Sequence, residues 1–278
     1  MLMSYISTAD DAGAYTPCLH RVHASIRPML YSAARALFVS WFFVVAAGCS
    51  ADEPARTEPA STLERGLAAH GGTQQWGAQA RLSYAFDRGS GPEKQVIDLW
   101  NRRVRWDGPD FTLGFDGDSA WVAPDPEAFG TGDPLFYSSL YFYFFAMPFV
   151  LADPGTVHED LGVRQINSQP YRAVKVTYEP GTGASPDDAY IAHFDPDTGM
   201  LRYLLYTVTF MSGAPSERYS ALEYLEWQNV DGLLVPGEFV GRRWYADGDS
   251  ISGERYRLTF SDVAFGTTTP ADSLFARP

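Results

Sequence analysis

Asp133-Pro-Leu-Phe-Tyr-Ser-Ser-Leu-Tyr-Phe-Tyr-Phe-Phe-Ala-Met-Pro-Phe-Val-Leu-Ala-Asp153 runs uncharged from one aspartate to the next. Its length alone nominates a membrane span, which needs roughly 20 apolar residues. Ser138, Ser139, Tyr137, Tyr141, Tyr143 and Pro148 argue against that, and no basic residue flanks the stretch to orient insertion. It reads instead as an aromatic helix broken before Pro148. A helix that is apolar almost all round is buried on more than one side. It therefore calls for a sheet that covers it, with a greasy space between the helix and the concave face.

Outward from this stretch the hydrophobic period is two. Tyr256, Leu258 and Phe260 alternate with Arg255, Arg257, Thr259 and Ser261, a strand with one wet face. Val96, Trp100, Val104 and Trp106 fall on one face of a long strand, with Asn101, Arg103 and Arg105 on the other. Tyr219, Ala221, Leu225 and Trp227 share a parity, and Met200–Met211 is apolar on both faces, as a central strand would be. Asp116-Gly-Asp118, Asp195–Gly199, Asn229–Gly232 and Asp247-Gly-Asp249 are hairpin turns. A short helix over Leu63–Gly71 ends at the Gly71-Gly72 pair, and Trp76 sits in a second turn. The expectation is a mainly β domain over residues 63–278, with roughly ten or eleven antiparallel strands and a few helices.

Before residue 63 the chain is of another kind. A basic residue, Arg35, precedes the apolar run Ala36–Ala47, which closes on Ala46-Ala47-Gly48-Cys49. That is the layout of a secretory signal, and its ending resembles a bacterial lipobox with Cys49 as the lipidated residue. Met29 opens a signal of ordinary length, so residues 1–28 read as a disordered extension of the gene model and 29–48 as the signal. Residues 49–62 read as a flexible tether rich in Ala, Pro, Glu and Thr. The expected location is the cell envelope, on a lipid anchor, sorted to the outer membrane because Ser50 follows Cys49 in place of an acidic retention residue.

Composition narrows the function. The 278 residues are 45% hydrophobic and carry a net charge of −13 without a Lys/Arg-rich block, which excludes a sequence-independent grip on nucleic acid. The two cysteines, Cys18 and Cys49, cannot build a zinc site. His70, His158 and His193 are far apart and lack ligand spacing. There is no Gly-x-Ser-x-Gly elbow, P-loop or dinucleotide fingerprint. No cofactor and no catalytic residue is expected.

The order of several motifs resembles a family. The His70-Gly-Gly72 helix end with Trp76 comes first, then Tyr141–Phe149 running into Leu151-Ala-Asp-Pro-Gly155. Phe194–Gly199 and Asp231-Gly-Leu-Leu-Val-Pro236 follow. Together they resemble an uncharacterised group of bacterial envelope lipoproteins, similar in fold to the lipoprotein-carrier (LolA/LolB-like) superfamily. The resemblance implies an incomplete antiparallel β-barrel around a hydrophobic cavity lidded by helices, binding acyl chains without catalysis. Trp100, Trp106, Tyr141, Phe142, Phe145 and Phe149 are the expected cavity lining, and a lipid or acyl chain the expected partner, beside the membrane itself through the anchor. The alternatives are an envelope hydrolase working through a carboxylate pair and a structural lipoprotein with a closed core.

Overall fold

The computed structural model describes residues 60–89, 91–130, 132–183 and 185–278. The extension, the signal segment, Cys49 and nearly all of the tether lie outside the described residues.

The first helix, α1 (Thr62–Ala69), starts inside the stretch read as tether. Ser61 is its cap: the Glu64 N–H donates to Ser61 Oγ at 3.2 Å, and the Ser61 N–H donates to Glu64 Oε2 at 2.7 Å. This reciprocal pair satisfies two helix-end donors. Ser61→Ala should lower stability by about 1 kcal/mol, readable as a shifted urea midpoint at unchanged slope. α2 (Thr73–Gly77) follows and buries Trp76.

All twelve strands among the described residues belong to one antiparallel sheet. β1 (Arg81–Asp87), β2 (Pro92–Asp98), β3 (Arg103–Asp107), β4 (Thr112–Phe115) and β5 (Ala120–Ala123) form one meander. β6 (Thr156–Ile166), β7 (Gln169–Tyr178), β8 (Tyr190–Phe194), β9 (Leu201–Tyr206), β10 (Ser220–Val230), β11 (Leu233–Tyr245) and β12 (Ser250–Gly266) form a second. Pairing of β1 with β12 joins them, leaving β5 and β6 as the two edges, so the barrel is not closed. Between those edges the chain runs through α3 (Pro134–Phe145), capped by the Asp133 carboxylate and ended ahead of Pro148. The aromatic helix thus forms where the charge-free stretch places it. No helix among the described residues is long and apolar enough to cross a membrane.

The sheet must wrap around α3, because residues three apart on this helix reach distant strands. Tyr141 meets Trp106 of β3 at 5.4 Å between ring centroids, and Phe144 meets Tyr206 of β9 at 4.7 Å. Six strand spacings separate β3 from β9 in the sheet order. In a flat sheet that is about 29 Å, whereas a helix with its side chains is about 10–12 Å across. A bulge in β12 opposite Ser83–Ala85 of β1, and another at Asp160–Gly162 in β6, add to the curl. Gly162 has φ +68, and its N–H is held by Asp160 Oδ1 at 2.7 Å.

Two expected faces are corrected. Val96 and Trp100 do not share a strand face with Val104 and Trp106, because the segment is a hairpin. Asp98 accepts the N–H groups of Trp100 (3.2 Å) and Asn101 (3.0 Å), and the turn reverses the chain. Pairing of Ile97 with Val104 then puts Glu93, Gln95 and Ile97 inside with Val104 and Trp106. In β10, bulges around Glu226 shift the parity. Leu222, Tyr224 and Trp227 lie with the α3 core, whereas Ala221 joins a second cluster with Ile166, Tyr203, Leu205 and Ile251. β9 contributes to both clusters, as a strand apolar on both faces should.

Candidate functional site

Five of the six expected lining residues come together, as packed core. Phe145 is fully buried, stacked on Tyr84 at 4.5 Å and tilted against Phe260 at 5.0 Å. Trp106, also fully buried, is ringed by Phe86, Phe111, Phe129 and Tyr141 at 5.3–5.6 Å. Phe149 stacks on Trp76 at 4.5 Å, and the Phe142 ring lies under the Arg102 guanidinium at 5.3 Å. The sixth, Trp100, is 58% exposed on the β2–β3 turn, where its Nε1 donates to the Gly77 carbonyl.

The open space lies on the opposite side of α3. Leu135, Phe136, Ser139, Leu140 and Tyr143 are only partly buried and follow helical spacing. They floor a groove of about 360 Å³ whose walls come from both flanks of the sheet. Phe115 and the β2–β3 turn stand on one side; Tyr178, Tyr190, Tyr206, Val208 and Phe210 stand on the other. Phe210 reaches across to Phe136 at 5.3 Å. The volume is near the lower end of the roughly 300–1,000 Å³ of small-molecule sites. Because α3 is apolar on all sides, periodicity could not tell its core face from its groove face.

Charge enters the groove at two places. Arg102, held at φ 57 by the Asp98 turn, binds both carboxylate oxygens of Asp153 at 2.7 Å. Asp188 is buried at the far wall, and its Oδ1 accepts the Thr209 N–H at 2.7 Å and the Thr209 hydroxyl at 2.8 Å. Burial raises the carboxyl pKa of both Asp153 and Asp188, against the pull of their partners. Burial likewise raises the Tyr143 phenol.

Sequence reasoning missed a second polar group, inside the core. Glu93 and Gln95 point inward from β2. Glu93 binds Arg88 at 2.6 Å and accepts the Trp106 Nε1–H at 2.6 Å; Gln95 accepts the Tyr84 hydroxyl at 2.6 Å. The Arg88 guanidinium lies 5.3 Å from the centre of the Trp106 ring and 5.7 Å from that of Tyr141. Burial pushes the Tyr141 phenol up to about 12 although Arg88 is beside it. Two inward polar residues in a strand look like a wet face, so no pattern announced them.

The histidines stay apart. His70 Nδ1 meets the Gly66 carbonyl at 2.7 Å, His193 Nδ1 meets the Ile191 carbonyl at 3.1 Å, and His158 Nε2 meets the Leu151 carbonyl at 2.7 Å. Among the described residues no cluster of His, Cys, Asp or Glu could hold a metal ion.

A family of unknown function, DUF6503, matches residues 132–221. That span contains α3 and every groove residue except those of the β2–β3 and β4–β5 turns and β4. No curated protein matches the chain. Similar solved structures include a DUF1329 family protein from Desulfovibrio piger, 11% identical, covering 78% of this chain and 98% of that one at a TM-score of 0.45. A LolA superfamily protein from Nitrosomonas europaea is 10% identical over 78% of this chain and 99% of that one, TM-score 0.39. A putative outer membrane lipoprotein-sorting protein domain from Vibrio parahaemolyticus is 9% identical over 76% and 97%, TM-score 0.36.

Proposed function

We propose that this protein is a cell-envelope lipoprotein, anchored through Cys49 and facing the periplasm from the outer membrane. It binds a lipid or lipoprotein acyl chain in the α3 groove, without catalysis. The observation that carries the reading is the groove itself: half-buried Phe136, Leu140 and Tyr143 on a helix whose other side is packed core. Burying an acyl chain gains about 0.8 kcal/mol per methylene. One long chain therefore gains on the order of 10 kcal/mol before ordering costs, enough for binding without a specific polar contact.

The carboxylates speak for binding rather than hydrolysis. Three of the four buried acids among the described residues, Glu93, Asp98 and Glu223, are held by arginine: Arg88, Arg103, and Arg202 with Arg242. A glycoside hydrolase needs two carboxyl groups facing its substrate, whereas the fourth, Asp188, is the one carboxylate among the residues lining the groove.

Leu140→Asp tests the groove. A charge on its partly buried floor should weaken a fluorescent acyl probe by more than about tenfold, with the domain still folding cooperatively in urea at a moderately lower midpoint. If wild type binds no acyl probe, or Leu140→Asp binds it equally well, the reading fails. The anchor is tested separately: Cys49→Ser should lose fatty-acid labelling and leave the membrane fraction, and a variant that stays membrane-bound contradicts it.

A further inference from the structure

The polar wall of the groove bears on which amphiphile it takes. The charged side chains at the groove come from three separate segments. Arg102 is on the β2–β3 turn, Asp153 follows α3, and Asp188 is on the β7–β8 connection. Arg102 is already matched: two carboxylate oxygens of Asp153 sit at 2.7 Å from its Nη2. Its charge is thus compensated before any ligand arrives. Asp188 is held through the neutral donors of Thr209 and Thr207, so its negative charge has no cationic partner in those contacts. The remaining polar lining is uncharged and includes Ser139, Tyr143, Tyr178, Thr182, Ser185 and Tyr190.

We propose that this wall selects by head-group charge, taking an uncharged acyl ester or acyl alcohol and excluding the free fatty-acid anion. The proposal rests on the groove being the acyl site. A carboxylate head group would leave water for a lining whose one arginine is neutralised and whose unmatched charge is the negative Asp188. An ester meets neither penalty and finds a wall of hydroxyl groups. The same charge balance makes Asp188 the residue that sets the preference.

The test is displacement of a fluorescent acyl-alcohol probe from the purified full chain at pH 7.5. Dodecanoate and monododecanoylglycerol are the competitors, chosen for equal chain length. The glyceride should compete at least about tenfold better, the scale expected for like charges several ångströms apart in a partly buried site. Asp188→Asn keeps an oxygen to accept from Thr209 while removing the charge, so it should narrow that gap several-fold. Asp153→Asn, which frees Arg102, should narrow it as well. Dodecanoate competing as well as the glyceride, or a gap unchanged in both variants, overturns the selection. If neither competitor displaces the probe, the groove reading itself falls.

Discussion

Phe145→Ala is expected to cost about 3–5 kcal/mol of stability, whereas Leu140→Ala, less than two turns away, should cost under about 1.5 kcal/mol. Phe145 is fully buried between Tyr84 and Phe260, so truncation leaves a void that neighbouring rings cannot collapse to fill. Leu140 is only partly buried on the groove floor, and its removal enlarges a space that is already open. Urea unfolding of the two variants measures the difference directly. Equal costs would mean that α3 has no open face. The same pair separates stability from binding, since Leu140→Ala should weaken an acyl probe more than its small loss of stability suggests.

Acidification should destabilise the protein by several kcal/mol between about pH 6.5 and 4, before carboxylate protonation dominates. Burial lowers His70 and His193 from 6.5 to about 4 in the folded chain. Each ring donates from Nδ1 to a carbonyl and stays neutral when folded, while in the unfolded chain it takes up a proton below about 6.5. The unfolded state therefore binds more protons in this window, and stability rises with pH. The contribution is complete above about pH 6.5 and lost as pH falls toward 4. A drop of this size is worth about 3 kcal/mol for each histidine. Asp153 and Asp188 have raised pKa values, so they bind protons more readily when folded and offset part of the loss at its acid end. Unfolding free energies at pH 7.5, 6.5, 5.5 and 4.5 should fall along this curve, and His193→Gln should flatten it by about half. A stability that is constant or rising across the window would contradict the buried neutral histidines.

Much of the architecture was legible from local chemistry. Four acidic-glycine turns, the alternation of Tyr256, Leu258 and Phe260, and the interruption ahead of Pro148 each depend on a few adjacent residues, and each stands as read. Legibility ended where one residue resets a face. The Asx-type turn at Asp98 reversed what looked like one long strand, and the bulges around Glu226 moved Trp227 inward. Both effects are invisible to a count of two, although Asp98 with Asn101 is the chemistry of a turn. The expected lining fell on the packed side of α3 for a related reason. Helical spacing correctly grouped Tyr141 with Phe145, but an all-apolar helix carries no mark distinguishing the face that meets the sheet from the face that meets the groove. Groove residues such as Tyr178, Asp188 and Phe210 come from strands and loops brought together by the curl of the sheet.

The most direct measurement is photolabelling of the purified protein with an acyl chain bearing a terminal diazirine, followed by peptide mapping. Saturable labelling confined to residues 135–144 and 206–210, competed by unlabelled acyl ligand and lost in Leu140→Asp, is the predicted result. No saturable labelling, or labelling that spares both segments, would contradict acyl binding in the groove.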